Sequence, residues 1–281
     1  MKNHLIIFSR NRASQLNLLL DSIIENSNNL FDKVSIIFRA DLVFIDGYQK
    51  IISSEIYKKI NLHWYTENYL ENGLDFNSIL KNVIDIKIPF TTFMVDDDIL
   101  YNKIESTQEE ILNTIKEDVI CFSLRLGENC TYSHPANQNY SLKYHVSYNN
   151  FISFNWVIQE SGDFAYPLSV DGHIYKTTFI QNAINDIPFN NPNTLEANLQ
   201  HLLKYIPYKV YSFKKSVLIG VPVNLVNDTF NNRNGLTYPI SVETLNEKYL
   251  NGERINLNAL NFSDINGPHK ELEYVFKKNQ I

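Results

Sequence analysis

The sequence is poor in the residues that mark several protein classes. It has 2 cysteines, Cys121 and Cys130, in 281 residues, which is neither a disulfide framework nor a metal-ligand spacing and suits a reducing cytoplasm. Glycine is sparse, and no Gly-rich phosphate loop occurs, neither the dinucleotide fingerprint nor the pattern ending in Gly-Lys-Ser or Gly-Lys-Thr. That disfavours Rossmann dehydrogenases and P-loop ATPases, so a bound phosphate must be held by basic side chains and a metal ion. Cations are not in excess either. With 25 Lys and Arg against 31 Asp and Glu the net charge is -6, which leaves no surplus to displace counterions and argues against a nucleic-acid binder. No apolar run approaches bilayer length, and Leu5 to Phe8 is too short for a signal peptide. The expectation is a cytoplasmic protein without a transmembrane segment.

What is present is an apolar, aromatic chain, 44% hydrophobic, long enough for one large α/β domain. Short β-forming runs at Leu5 to Phe8, Val34 to Phe38, Leu62 to Tyr65, Thr91 to Val95 and Val119 to Leu124 alternate with helical patterns. These helices are expected after a Ser14 cap, at Tyr48 to Ile60, at Leu74 to Ile84 behind the Gly73-Leu74-Asp75 turn, and at Ser106 to Ile115. Such alternation predicts βαβ units and a mostly parallel central sheet flanked by helices. Further on, helices are expected at Thr178 to Ile184, from Asn191 to about Tyr205 with Glu196 in the first turn, at Val242 to Leu250 and at Glu271 to Phe276. Tyr208 to Val221 alternates like a pair of strands, and Asn227 to Gly235 is a polar loop. The reading is one domain over 1–281, with a nucleotide-binding half at 1–100, an acceptor and catalytic half at 101–225 and a C-terminal extension at 226–281.

The stretch with the strongest chemistry is Phe93-Met94-Val95-Asp96-Asp97-Asp98. A buried strand that ends in three carboxylates is uncomfortable unless a cation sits among them, and hard oxygen ligands select Mg2+ or Mn2+. The competing reading is a solvated acidic turn. Ligands of open α/β sheets bind outside the carboxyl ends of the strands. Arg10, Arg12 and Arg39 follow the first and second strands on that same rim and can meet a nucleotide there, surface solubility being the alternative.

Phe8-Ser9-Arg10-Asn11-Arg12 before an amphipathic helix, followed by Val95-Asp96-Asp97-Asp98, resembles the GT-A glycosyltransferases. In that family the first strand-loop binds nucleotide and an Asp-x-Asp motif follows a strand. Three further segments, Phe122 to Gly127, Tyr166 to Ile174 and Pro192 to Glu196, resemble an uncharacterised bacterial branch with family 2 character. The resemblance implies a nucleotide-diphosphate sugar donor, a UDP-sugar first, contacted through Ser9, Arg10, Arg12, Arg39, Asp41, Asp96 and Gly172. It implies a Mn2+ or Mg2+ ion held by Asp96, Asp98 and, by order, His269, with Asn224 competing for the last place. Glu196 falls where inverting members carry an acid, although Ala197 breaks the usual Glu-Asp pair, and Asp171 is the second candidate base.

The resulting expectation is a metal-dependent transferase acting on a saccharide or lipid-linked saccharide in bacterial surface polysaccharide synthesis. The aromatic, Asn-rich stretch from Tyr132 to Trp156 suits an acceptor site, an ordinary aromatic-packed loop being the alternative. Contact with the inner membrane face would fall to Lys204, Lys209, Lys214 and Lys215, the densest basic cluster. Two other classes compete. A nucleotidyltransferase would need a glycine-rich N-terminal loop, which Ser9 to Ser14 lacks, and a non-catalytic saccharide-binding protein would have no use for retained adjacent carboxylates.

Overall fold

Seven of the eight residues of the first strand, β1 (Asn3–Arg10), are buried, as expected of a strand covered on both faces. The computed structural model describes residues 1–67, 74–227, 229–230 and 232–278, and Gly73 lies outside them. After β1 the chain runs through α1 (Ala13–Asn26), β2 (Lys33–Arg39), α2 (Ile45–Ile52), β3 (Leu62–Thr66), α3 (Phe76–Val83) and β4 (Phe90–Val95). Then come β5 (Asp98–Leu100), α4 (Gln108–Leu112), β6 (Val119–Ser123) and the two-residue strands β7 (Tyr132–Ser133) and β8 (Gln138–Asn139). The remainder is β9 (His145–Tyr148), β10 (Phe151–Asn155), β11 (His173–Lys176), α5 (Thr177–Asp186), α6 (Pro192–Leu199), β12 (Lys209–Phe213), β13 (Leu218–Gly220), α7 (Val242–Leu250), β14 (Glu253–Ile255) and β15 (Phe276–Lys278).

A nine-stranded sheet in the order β3-β2-β1-β4-β11-β6-β12-β10-β9 forms the centre. β1, β2, β3 and β4 are parallel, as are β6 and β12, whereas β11 runs antiparallel between β4 and β6. One core packs α1, α2 and α4 on one face, the other packs α3, α5 and α6 on the opposite face. This is the mostly parallel α/β sheet expected from the alternation of elements. A third cluster joins Leu18 of α1 to β5, β13, α7 and β14. The C-terminal extension therefore folds back on the N-terminal half, and Tyr249 Oη donates to Asn17 Oδ1 at 3.0 Å.

Several local expectations are corrected. Ser14 lies inside α1, buried, and the N-cap position is Arg12 without a side-chain cap. The helix expected over Tyr48 to Ile60 breaks after Ile52 and resumes as a short 3-10 turn, Glu55–Lys59, because the two serines at 53 and 54 compete for backbone hydrogen bonds. β12 and β13 do not pair with each other; β12 inserts between β6 and β10, while β13 pairs with β5. Glu271 to Phe276 is not a helix. Glu271 is buried and accepts from the N–H groups of Leu236, Thr237 and Tyr238 at 2.8, 2.7 and 3.0 Å, a tertiary role that fixes extended chain.

Gly172, given to the donor by the family resemblance, is a structural residue under the sheet end. It has φ +69°, and a Cβ there would stand 2.1 Å from Leu218 Cδ2. Its N–H donates to Phe93 O at 2.7 Å and its carbonyl accepts from Leu124 N–H at 2.9 Å, so the glycine backbone is held from both sides and cannot back away from the buried Leu218. Gly172→Ala is expected to destabilise the fold by roughly 2–4 kcal/mol, read as a shift in the urea midpoint. A midpoint within error of the wild type would show that the loop adapts and that the close packing is unimportant.

Candidate active site

Parallel packing brings the end of β1 against the end of β4, since Phe8 pairs with Val95. The loop after β1 therefore meets the acids after β4. Ser9 Oγ and Arg10 N–H both donate to Asp96 Oδ2 at 2.9 Å. Tyr48 of α2 supports this loop: its hydroxyl lies 2.6 Å from Ser9 Oγ and accepts from Arg12 N–H at 3.1 Å. Arg12 Nη1 lies 3.1 Å from Asp96 Oδ1 and 3.0 Å from Asp97 Oδ2. Burial disfavours its charge, but Asp97 and Asp96 more than offset this and the guanidinium is held firmly protonated. Asp96 is pushed up to about 6 by burial, with Arg12 opposing the rise. Both of its oxygens are engaged by Ser9, Arg10 and Arg12, so it faces inward rather than standing as an open metal ligand.

Asp98 is different. Its Oδ2 accepts from Val95 N–H at 3.0 Å, and burial followed by the nearby negative charges of Asp171 and Asp97 raises its carboxyl well above the usual range. β5 pairs with β13 so that Asp98 lies opposite Gly220, and Gly220 is bridged in turn to His269. Asp98 Oδ1 and His269 Nε2 lie 3.5 and 3.4 Å from the point where a Cβ on Gly220 would stand. His269 Cδ2 is only 2.7 Å from that point, so the bare glycine makes room for the imidazole beside Asp98, an oxygen and a nitrogen donor whose chemistry fits Mn2+ or Mg2+. Among the described residues no three His, Cys, Asp or Glu side chains converge to hold a metal ion. An ion at Asp98 and His269 would take its remaining ligands from diphosphate and water.

On the other side of the cleft Arg125 follows β6. Its Nη2 donates to Asp163 Oδ1 at 2.7 Å, and its Nη1 donates to Asp171 Oδ2 at 2.8 Å and to Ser169 Oγ at 3.1 Å. Burial opposes ionisation of Asp171, but His269, whose Nε2 stands 3.6 Å away, and Arg125 outweigh it and hold the carboxyl below its ordinary value. Glu196 behaves oppositely. Asn191 and Thr194 form a capping box at the start of α6, which fixes the helix so that Glu196 Oε1 accepts from Val170 N–H at 3.1 Å. Glu196 lies beyond the first turn of α6, so it does not serve the helix dipole as its sequence position suggested. Burial and the charge of Asp171 push it up to about 7, with Arg125 opposing.

These groups line one cleft of about 820 Å³. It takes in Ser9, Arg10, Arg12, Arg39, Asp96, Asp97, Asp98, Asp171, Glu196, Asn224 and His269. Asp41 is not in the lining; it pairs with Asn11, accepting from its amide at 2.7 Å and donating through its own N–H at 2.8 Å. Asn11 has φ 56°, and the pair with Asp41 shapes this loop. Most of Tyr132 to Trp156 is also elsewhere: β9 and β10 extend the sheet at its far edge, and only Ser133, His134, Pro135 and Ala136 of that stretch line the cleft. The side chains that sequence reasoning missed are Tyr48, Arg125 and Asp163. Arg125 alone carried a signal, an arginine just past a buried strand and inside a segment already singled out.

The Arg125 network is a buried one, with Arg125 6% and Asp163 8% exposed. Arg125→Met leaves carboxylates without their cation and should cost about 3–5 kcal/mol at neutral pH. Because Asp171 has a depressed pKa in the fold, its ion-pair stabilisation is present above the ordinary value of 3.8 and lost as pH falls below it. The difference between wild type and variant in urea unfolding should therefore shrink at acid pH. A pH-independent difference would assign the loss to packing instead.

No protein-family model matches the chain. It is 26% identical over 298 aligned residues to the bifunctional glycosyltransferase pgtA of Dictyostelium discoideum, covering 92% of this chain and 37% of the relative. The chain thus spans little more than a third of the curated relative's length. Among solved structures it is similar to S. aureus TarS 1–349 in complex with UDP, at TM-score 0.49 and 18% identity, covering 78% of this chain and 60% of that one. The mannosyltransferase PcManGT from Pyrobaculum calidifontis, in complex with GDP-Man and Mn2+, gives TM-score 0.38 and 12% identity over 74% of this chain and 53% of that one. By sequence the chain is similar to a bifunctional glycosyltransferase, and its fold is a mostly parallel α/β sheet with an acid-tipped β4.

Proposed function

We propose that the chain transfers a sugar from a nucleotide-diphosphate donor, a UDP-sugar first, to a hydroxyl of a saccharide acceptor, with inversion. The observation that carries this reading is the opposite treatment of two acids in one cleft. Asp171 is tied down by Arg125 and His269 and held ionised, whereas Glu196 is lifted to about 7. Groups whose surroundings push their pKa values apart divide the labour of acid–base chemistry, and a base poised near neutral pH is the effective one.

In this mechanism the acceptor oxygen attacks the anomeric carbon while Glu196 takes the hydroxyl proton. The bond from that carbon to the diphosphate breaks, and the diphosphate leaves with the electron pair. Asp171 stays ionised and orients Arg125 and His269. Asp98 and His269 would hold a divalent ion, which when bound supplies positive charge to the leaving diphosphate. Arg10 and Arg39 line the same cleft, and guanidinium groups suit phosphate or base. Asn190, Asn191, Asn193 and Tyr166 line the cleft beside Glu196, and amides with an aromatic face suit a sugar acceptor.

The proposed setting is synthesis of a bacterial surface glycan on a soluble or lipid-linked acceptor by a cytoplasmic enzyme, which rests on the family resemblance. Among the described residues no helix is long and apolar enough to cross a membrane. Within the lysine cluster, Lys209 is paired with Asp118 and Lys204 lies 4.8 Å over the ring of Tyr205, so a peripheral contact would rest on exposed Lys214 and Lys215.

Glu196→Gln should lower turnover by roughly 10²- to 10⁴-fold with donor affinity little changed. The wild-type rate should rise with pH up to about 7, as Glu196 loses its proton, and level off above, whereas the variant's profile should lose that limb. Near-normal turnover in the variant would point to a retaining mechanism. Donor binding is measured independently, by thermal stabilisation across a panel of nucleotide sugars with and without Mn2+.

A further inference from the structure

A guanidinium carries five N–H groups, and four of those on Arg12 already have acceptors. Nη1 serves Asp96 Oδ1 and Asp97 Oδ2 at 3.1 and 3.0 Å. Nε and Nη2 donate to the side-chain and main-chain oxygens of Asn224 at 2.8 and 2.5 Å. Asn224 is held in turn, donating to Ile240 O at 3.0 Å. The Arg12 side chain is only 7% exposed. This is not the disposition of a residue waiting for a diphosphate, the role given to Arg12 by the family resemblance. It is a cation built into the acid cluster, and it serves two of the three acids. Asp98 makes no direct ion pair among the described residues: its carboxylate accepts from Val95 N–H, lies near Gly220 and His269, and feels Arg125 only at a distance beside the charges of Asp171 and Asp97.

We propose that Arg12 is a positioning residue, an internal counter-ion that closes Asp96 and Asp97 to an incoming divalent cation and so directs the cation to Asp98. The assignment rests on the metal-dependent sugar transfer put forward above. Three adjacent carboxylates offer a small hard cation several bridging arrangements, of which one places its charge at the His269 side of the cleft. A fixed positive charge a few ångströms from Asp96 and Asp97 repels a cation there, by an amount worth tenfold or more in affinity at an effective dielectric of about 20. The flat guanidinium also suits this task. One edge takes two carboxylate oxygens and the other takes an amide, which an ammonium could not do in one plane.

The test titrates Mn2+ alone into the protein without nucleotide, with free Mn2+ followed by electron paramagnetic resonance. Arg12→Gln should bind Mn2+ at least about tenfold more tightly than wild type, or take up a second ion, while sugar transfer falls about a hundredfold. Arg12→Lys keeps the charge and should return Mn2+ affinity to within about threefold of wild type. A merely structural arginine would not move metal affinity and turnover in opposite directions. Arg12→Gln binding Mn2+ equally or more weakly overturns the counter-ion role and leaves the transferase reading intact, whereas a wild type that binds no Mn2+ overturns the metal reading and this inference with it. Should Arg12→Gln not fold alone, refolding in Mn2+ takes the place of the titration. Recovery of folded protein supports the role, and no recovery overturns it.

Discussion

Of the carboxylates that line the cleft, Asp96, Asp97, Asp98, Asp163, Asp171 and Glu196 are grouped around two buried arginines, Arg12 and Arg125. Negative charge taken out of bulk water must be compensated, or it is lost by protonation. Arg12 compensates Asp96 and Asp97, and Arg125 compensates Asp163 and Asp171. Asp98 and Glu196 have no ion pair among the described residues and, like Asp96, are lifted above their ordinary range. The two without a direct ion pair among the described residues are the two to which chemistry is assigned, one toward a cation and one toward a proton.

The fold exists around this division. The loop after β1 and the turn after β4 meet because the strands are parallel and in register, and Arg12 reaches both acids from the start of α1. Arg125 reaches its partners because β11 inserts antiparallel between β4 and β6, carrying Asp171 in ahead of it. The C-terminal extension supplies the remaining wall. Glu271 fixes the strap at 236–238 by three backbone hydrogen bonds, and the bridge at Gly220 sets His269 beside Asp98 and Asp171. Residues far apart in the chain are thus held by backbone pairing, which is stiffer than side-chain contact alone.

Two glycines have distinct uses. Gly172 turns the chain with a left-handed backbone against Leu218, while Gly220 leaves the space between Asp98 and His269. A sequence motif reports both as glycine at an interesting place, and only their neighbours tell a support from a cradle.

By itself the sequence determined the first half of the fold and the location of the acids. Local apolar periodicity and strand-end charge are properties of contiguous residues, so β1 to β4, the helices between them and Asp96 to Asp98 at a sheet end were legible, as was α7 at its observed bounds. The tertiary structure decided the rest. Whether Arg12 faces solvent, a phosphate or two carboxylates depends on a turn 84 residues away and on Asn224, 212 away. The separate fates of Asp171 and Glu196 depend on Arg125 and His269, contributed by other segments. β12 and β13 looked like a pair of strands because alternation is local, yet each found its partner elsewhere, β12 between β6 and β10 and β13 beside β5. Charge compensation and strand pairing are relations between distant residues, and a linear pattern carries the residues without the relation.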